Sequence, residues 1–267
     1  MTGGFFVLLF GMFRPCIDLH DGKVKQIVGG SLTADPQDLR TNFVSDRSSR
    51  WYAELYKQDG LRGGHVIMLG GGNEAAAREA LAAYPGGLQV GGGIQLQNAA
   101  AFLEAGASHV IVTSWIFREG RLDWTRLKEL AAAVGRERLV LDLSCRRKDG
   151  EYFVVTDRWQ KFTELEIGPQ ALVRLAEWCA EFLVHAADVE GLCRGVDLEL
   201  VEKLARWSPL PATYAGGANS MLDLEEVTRL GGGKIDLTIG SALDIFGGAG
   251  VRYADVVEFN RRHPLSR

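Results

Sequence analysis

The sequence predicts an α/β protein, a (β/α)8 TIM barrel built as two duplicated half-barrels. Eight short apolar runs alternate with eight longer segments of helical period. The second half of the chain also repeats features of the first, since 124 residues separate Asp18 from Asp142 and also Gly92 from Gly216. An open doubly wound sheet is the alternative fold, but such a sheet rarely contains eight units or halves related this closely.

A single domain is expected over residues 1–267, with internal halves at about 13–134 and 138–262. The predicted strands are, in chain order, Phe13–Leu19, His65–Leu69, Leu88–Val90, His109–Thr113, Leu139–Leu143, Phe182–Ala186, Ala212–Tyr214 and Ile235–Ile239. The predicted helices are Arg50–Lys57, Ala75–Ala83, Leu96–Ala105, Trp124–Ala133, Pro169–Ala180, Leu198–Ala205, Leu222–Leu230 and Tyr253–Arg261.

Three polar insertions lengthen the connections after the first, fifth and sixth strands, at Val28–Asn42, Arg146–Glu166 and Gly191–Asp197. In a barrel these connections follow the carboxyl ends of the strands, where active sites are built. The second insertion contains Glu151-Tyr-Phe-Val-Val, which predicts a hairpin, followed by Trp159. The sequence therefore predicts that the site lies beneath these three loops.

Composition narrows the classes of function. The formal net charge of −4 argues against nucleic-acid binding, which needs a basic face. The apolar run Phe5–Phe10 is too short to span a bilayer, so no membrane association is expected. The four cysteines show no zinc or disulfide spacing, which indicates free thiols and a cytoplasmic location.

Two aspartates are the candidate catalytic residues. Asp18 and Asp142 each end an apolar strand, so both carboxylates open into the carboxyl-terminal face of the barrel. One carboxylate can take a proton from carbon while the other donates one, provided that their environments separate the two pKa values. The alternative is a helix cap or a structural ion pair.

Glycine and serine residues are the candidate phosphate ligands. Backbone amides can surround a phosphate where no Cβ intrudes, and a following helix adds its positive end. Each half of the chain has a glycine cluster that precedes a predicted helix, and each has a serine one strand later. The candidates are Gly92, Gly93 and Ser114 in the first half and Gly216, Gly217, Gly240 and Ser241 in the second. A simple turn is the alternative for each cluster.

Other candidates rest on weaker signals. Trp159 in a polar loop could stack on a flat heterocycle or anchor that loop. His65 and His185 lie in strands, where a histidine is more often part of the core; Asp188 follows the second of them. The chain has no zinc spacing, dinucleotide fingerprint or nucleophile elbow. We therefore expect no metal and no cofactor, and a monomer that acts on a bisphosphorylated small molecule.

Seven motifs resemble those of the histidine-biosynthesis isomerase family that acts on phosphoribosylformimino-5-aminoimidazole carboxamide ribotide (ProFAR). The residues of the last four motifs given below resemble those of the eukaryotic-type branch. The resemblance spans about Phe13 to Arg261. The motifs are Pro15-Cys-Ile-Asp-Leu-His-Asp-Gly-Lys, Val90-Gly-Gly-Gly-Ile, Leu141-Asp-Leu-Ser-Cys-Arg, Arg158-Trp-Gln, His185-Ala-Ala-Asp-Val-Glu-Gly-Leu, Ala215-Gly-Gly-Ala and Gly240-Ser-Ala-Leu-Asp-Ile-Phe-Gly-Gly.

The resemblance implies an Amadori rearrangement of the aminoaldose ProFAR to the aminoketose PRFAR. It implies that Asp142 is the general acid that opens the furanose ring and that Asp18 is the general base that removes the C2′ proton. It also implies that the two glycine–serine sets each bind one phosphate, that Trp159 stacks on the aminoimidazole and that Asp188 assists.

The chain departs from the bacterial pattern at three places. The second strand ends Val66-Ile-Met-Leu-Gly, where bacterial relatives usually have Asp. Gln95 stands where they often have Arg, and Ala186-Ala-Asp-Val-Glu-Gly where a Thr-rich loop is usual. The main competing function is that of the cyclase subunit of imidazole glycerol phosphate synthase, which usually has Lys where this chain has Gln26. The sequence is also compatible with a dual-substrate isomerase and with a non-catalytic phosphate-sensing or scaffold barrel.

Overall fold

A computed structural model describes residues 11–31 and 36–263 and confirms the predicted barrel. The predicted apolar segment Phe5–Phe10 lies outside the described residues. In the described part of the chain, eight strands surround the axis in parallel, with the residues before β1 completing the pairing to the last strand. They are β1 (Cys16–His20), β2 (Gly64–Met68), β3 (Leu88–Gly91), β4 (Val110–Val112), β5 (Leu139–Asp142), β6 (Glu181–His185), β7 (Ala212–Ala215) and β8 (Ile235–Thr238).

Pro15 divides the first predicted strand at the point where the barrel closes. The two residues before it, Phe13 and Arg14, pair with β8, whereas the residues after it pair with β2. Proline has no backbone N–H to donate to a ladder, but its carbonyl accepts a hydrogen bond from the backbone amide of His65 at 3.0 Å. One continuous segment thus contacts both neighbouring strands and closes the sheet.

Among the described residues, eight helices follow the strands in alternation, as predicted. They are α1 (Ser49–Gln58), α2 (Glu74–Ala83), α3 (Ala99–Glu104), α4 (Trp124–Val134), α5 (Pro169–Ala176), α6 (Leu198–Trp207), α7 (Met221–Gly231) and α8 (Tyr253–Arg262). Two are shorter than expected. α3 begins after a turn in which Asn98 accepts from the Gln95 amide, and α5 ends four residues before the predicted Ala180.

The barrel interior has an apolar middle layer above a polar floor. Ile111, Val140 and Leu183 pack together inside the strands, with Ile67 against them. Near the amino ends of the strands, Glu181 of β6 accepts hydrogen bonds from Thr213 in the neighbouring β7 and from Gln89 in the non-adjacent β3. Because the floor is filled in this way, the open end of the barrel is the carboxyl-terminal one.

Extra strands cover this open end. Lys23–Ile27, directly before the predicted loop Val28–Asn42, and Thr41–Val44, which includes its last two residues, extend the sheet beyond β1. Residues 32–35 of that loop lie outside the described part. The predicted hairpin after β5 is confirmed and is larger than expected: Cys145–Lys148, Glu151–Thr156 and Lys161–Glu166 form a three-stranded antiparallel sheet.

Each predicted half of the chain contains four barrel strands and four helices. Strands β1–β4 with helices α1–α4 fall in residues 13–134, and β5–β8 with α5–α8 fall in residues 138–262. The duplication of these halves stays a prediction.

Within residues 11–31 and 36–263, no helix is both long enough and apolar enough to cross a membrane.

Candidate active site

Asp18 lies near the carboxyl end of β1, and its side chain is 21% exposed. Its Oδ2 accepts a hydrogen bond from the Gln26 Nε2 at 3.0 Å, and its Oδ1 lies 3.9 Å from Nε2 of His65. Burial disfavours the charged carboxylate more than the His185 charge and the Gln26 amide favour it, so the pKa of Asp18 rises to about 6. Asp18 is therefore ionised at neutral pH but more basic than an ordinary aspartate.

Asp142 is the last residue of β5, and its carboxylate has more hydrogen-bond donors around it than that of Asp18. Its Oδ2 accepts from the Thr113 hydroxyl at 3.0 Å, while its Oδ1 accepts from both the backbone amide and the hydroxyl of Ser144, at 2.8 and 2.7 Å. Burial again favours the neutral acid, but His185 and the Ser144 donors outweigh it and hold the pKa of Asp142 below its ordinary value. This carboxylate is a weak base.

Two histidines lie near the aspartates, although a histidine within a strand is more often part of the core. Burial lowers the pKa of His185, but Asp142, Glu190 and Asp18 raise it further, to about 9. Burial and the neighbouring His185 lower the pKa of His65 to about 3. The two rings lie 5.6 Å apart. At neutral pH the site therefore holds one imidazolium and one neutral imidazole.

His185 is close to Asp142 without a hydrogen bond to it. Its Nδ1 lies 3.7 Å from the Asp142 Oδ1, and this buried nitrogen has no hydrogen-bond partner among the described residues. A buried polar atom without a partner is rare in folded proteins. The pair therefore has room to tighten, as catalytic hydrogen bonds often do when a ligand binds.

Glu190 is a third carboxyl group of the site, and the sequence pattern did not predict it as a site residue. Burial raises the pKa of Glu190 to about 7, against the opposing effect of His185. It lies in the loop after β6, where its carbonyl accepts from the Gly29 amide at 3.1 Å. The available signal was that Glu190 is one of two acidic residues in Ala186-Ala-Asp-Val-Glu-Gly, which alone does not indicate that its side chain faces a cavity.

These groups line a cavity with two lobes at the carboxyl-terminal face. The first lobe encloses about 290 Å³, and its lining includes Asp142, Trp159 and the predicted phosphate ligands Gly92, Gly93 and Ser114. The second lobe encloses about 20 Å³ and is lined by the predicted ligands Gly216, Gly217, Gly240 and Ser241. Four residues line both lobes: Asp18, Gln26, His185 and Glu190. The two glycine–serine sets thus flank the titratable groups.

The two glycines of the first lobe differ in what a Cβ atom would meet if it were added. Gly93 has a left-handed backbone (φ +79°), and a Cβ there would meet nothing within 4 Å. At Gly92 (φ +86°) a Cβ would collide with the carbonyl of Met68. Gly93 therefore leaves open space beside its backbone, whereas Gly92 is needed for packing against the neighbouring strand.

The glycines of the second lobe are in contact with protein atoms. A Cβ on Gly217 would collide with the carbonyl oxygen of Gly195, and one on Gly216 would lie 2.9 Å from the carbonyl oxygen of Ala186. Asn42 donates to both the Gly191 carbonyl and the Ser241 hydroxyl of this lobe, at 2.9 and 3.0 Å.

Trp159 and Asp188 have different positions relative to the cavity. Trp159 follows two other residues with left-handed backbone, and its ring lies in the first lobe, 5.7 Å from that of His185. Asp188 is not among the described residues that line either lobe. It accepts from Arg146 Nε at 2.7 Å and from the Arg147 amide at 2.9 Å, so it joins the loops after β5 and β6.

Comparison with known proteins identifies the family. The family described as "Histidine biosynthesis protein" matches residues 12–251. This chain belongs to that family. Its members among curated proteins include the chloroplastic 1-(5-phosphoribosyl)-5-((5-phosphoribosylamino)methylideneamino) imidazole-4-carboxamide isomerase of Medicago truncatula, which is 56% identical over 260 residues.

Fungal members of the histidine biosynthesis family match almost end to end. The isomerase of the same name from Neurospora crassa is 53% identical over 94% of this chain and 98% of its own length. That from Saccharomyces cerevisiae is 50% identical over the same shares of the two chains. For the Medicago protein, the match covers 95% of this chain and 83% of the relative.

Proposed function

We propose that this member of the histidine biosynthesis family is the isomerase that converts the aminoaldose ProFAR to the aminoketose PRFAR. Relatives with that name are 50–56% identical to it over more than nine-tenths of the chain. The observation that carries the proposal is that Asp18 and Asp142 line one cavity with pKa values shifted in opposite directions.

The first step is opening of the furanose ring. A proton goes to the ring oxygen, the bond between C1′ and that oxygen breaks, and a Schiff base forms at C1′. The resemblance assigns this proton to Asp142, but the free protein favours ionised Asp142 beside protonated His185. We therefore propose that the pair of Asp142 and His185, sharing one proton, is the acid.

The second step is removal of the C2′ proton. Asp18 is the proposed base, because its pKa of about 6 lies close to neutral pH while most of it is ionised there. The electrons of the C2′–H bond form an enolamine. Loss of the proton from the C2′ hydroxyl, with uptake of a proton at C1′, then gives the aminoketose. Glu190, with a pKa of about 7, is a second group near Asp18 that can hold the removed proton.

Substrate binding uses the two lobes. We propose that Gly92, Gly93 and Ser114 bind one phosphate through backbone amides and a hydroxyl, and that the second-lobe glycines and Ser241 bind the other. A phosphate at Ser241 replaces the Asn42 contact and requires the narrow lobe to widen. Trp159 is the proposed stacking partner of the aminoimidazole, since its ring already lies in the first lobe.

Fixed phosphates place the reacting carbons. A substrate held at both ends keeps C1′ and C2′ near the groups that line both lobes, which is catalysis by positioning. Asp188 is left out of the proposed binding set, because its carboxylate is engaged by Arg146 and Arg147. Its proposed role is to hold the loop that carries Trp159.

The decisive experiment is an activity assay on the purified protein. We expect conversion of ProFAR, followed by its change in ultraviolet absorbance, without added metal, ammonia or glutaminase. Asp18→Asn serves as the inactive control. Turnover that appears only with ammonia or a glutaminase, and then on PRFAR, would instead identify a cyclase. No turnover of either substrate would favour the scaffold function.

The location and the oligomeric state are part of the proposal. We propose a cytoplasmic monomer, because one chain supplies both aspartates and both glycine–serine sets and because its cysteines are free. The Medicago relative is named as chloroplastic. Sedimentation velocity of the purified chain and imaging of a tagged copy in its host test these two points.

A further inference from the structure

Gln26 lies in the strand Lys23–Ile27, which folds back antiparallel to β1 across the mouth of the barrel. Its side chain is only 2% exposed and lines both lobes of the cavity. A buried carboxamide needs partners for its donors and its acceptor. Its position makes Gln26 part of the wall between the two proposed phosphate sites.

The amide nitrogen of Gln26 points at the proposed base. Its Nε2 donates to the Asp18 Oδ2 at 3.0 Å and lies 3.8 Å from the Cys16 Sγ. A neutral donor on a carboxylate fixes the rotation of that carboxylate and favours its charged form. Gln26 therefore sets which oxygen of Asp18 is free to face a substrate carbon.

The carbonyl oxygen of Gln26 points the other way, to the second lobe. A Cβ added to Gly240 would collide with the Gln26 Oε1, and Gly240 itself does not have a left-handed backbone. The backbone conformation at Gly240 thus permits other residues, and it is the Gln26 side chain that leaves room only for glycine. One side chain spans the distance from Asp18 to the loop of Gly240 and Ser241.

We propose that Gln26 is a positioning residue, which orients the Asp18 carboxylate for proton removal and couples it to the Gly240–Ser241 loop. This inference rests on the proposed isomerase function. The titratable groups that face Asp18 are Cys16 on its own strand and His65, His185 and Glu190 on neighbouring elements. Gln26 contributes by donating a hydrogen bond, which lowers the pKa of Asp18.

The first test is Gln26→Leu, which keeps the approximate volume and removes the donor. The pKa of Asp18 then rises, and the acidic limb of kcat/KM moves to higher pH by about one unit, which is a tenfold loss below the limb. Above pH 8 the loss is smaller, because Asp18 is ionised in both proteins. A purely structural role would lower kcat/KM by the same factor at every pH.

The second test is Gly240→Ala, which leaves Gln26 in the sequence but displaces the end of its flexible side chain. We expect the same direction of shift in the acidic limb, together with a raised KM. The matched control is Lys23→Gln, on the same strand but exposed, which should leave the limb unmoved. If Gln26→Leu does not fold, Gly240→Ala decides the question.

A measurement in the ligand-free protein separates this inference from the proposed function. Titration of the Asp18 carboxyl by ¹³C NMR should give a higher midpoint in Gln26→Leu than in wild type. If that shift occurs in a protein without isomerase activity, the proposed function fails while the positioning of Asp18 stands. If the wild type is active but neither the midpoint nor the acidic limb moves, Gln26 does not have this role.

Discussion

Asp18 and Asp142 occupy corresponding positions at the ends of β1 and β5, yet their surroundings act in opposite directions. Both are withdrawn from solvent, and burial by itself raises the pKa of each. The net effect is a rise to about 6 for Asp18 and a fall below the ordinary value for Asp142. The same residue type at equivalent places thus has two acid strengths.

The difference comes from the donors around each carboxylate. Asp142 accepts three hydrogen bonds, from Thr113 and Ser144, and has the imidazolium of His185 at 3.7 Å. Asp18 accepts one from the neutral Gln26 amide and has a neutral imidazole at 3.9 Å. Hydrogen bonds and charge decide the sign once burial is similar.

The largest expected effect is loss of either aspartate. Asp18→Asn and Asp142→Asn should each lower kcat about 10³-fold, within the range that general acid–base groups contribute, with KM changed only a few-fold. Steady-state kinetics on ProFAR measures both. Asp21→Asn is the control, since this carboxylate is 71% exposed in the turn after β1. Preserved kcat with a large rise in KM would contradict the assignment.

The second-largest effect is expected from loss of the His185 imidazole. Because its pKa is raised to about 9, the imidazolium that supplies the proton is present below pH 9 and is lost as pH rises above it. His185→Gln should lower kcat roughly 10²-fold and abolish the basic limb near pH 9. His109→Gln, at the other end of the barrel, should keep that limb. An unchanged basic limb in His185→Gln would remove the histidine from the acid pair.

Gly93 and Gly92 give a contrast within one loop. Gly93→Ala should raise KM about tenfold because the methyl group enters the open space beside the proposed phosphate, at a cost of about 1 kcal/mol in stability for the left-handed backbone. Gly92→Ala should chiefly lower the free energy of unfolding, since its Cβ collides with the Met68 carbonyl. Urea unfolding and KM together distinguish them, and equal KM values for Gly93→Ala and wild type would indicate a simple turn.

The smallest effect is expected from Ser144→Ala. It removes one of three hydrogen bonds to Asp142, so the pKa of Asp142 should rise and kcat should fall by a factor of about 3–10. Ser108→Ala, whose hydroxyl bonds a carbonyl on the opposite face, is the matched control. A loss as large as that of Asp142→Asn would show that Ser144 does more than donate a hydrogen bond.

The sequence predicted the fold and the placement of both aspartates at the carboxyl-terminal face, because both depend on local pattern. Their catalytic roles stay a prediction. Apolar runs and helical periods place the barrel elements, and a carboxylate at a strand end necessarily opens at the carboxyl-terminal face. His185 and Glu190 were not selected, because their roles depend on contacts between β5, β6 and the loop after β6. No spacing along the chain encodes those contacts.

The glycine runs predicted where the loops lie, but not which neighbouring atoms require glycine at each position. From sequence, Gly217→Val is an obvious probe of phosphate binding, but its Cβ would collide with the Gly195 carbonyl. Gly240 likewise makes room for Gln26. The resemblance implies that Asp188 assists at the substrate, whereas its carboxylate faces Arg146. In each case a neighbour distant in sequence determines the role.

The most direct test of the unequal carboxylates is a ¹³C NMR titration of both in the ligand-free wild type, with each signal assigned by its absence in the matching Asn variant. We expect the midpoint of Asp18 at about pH 6 and that of Asp142 below an ordinary aspartate. Midpoints in the reverse order, or both at the ordinary value, would contradict the division of acid and base work between the two groups.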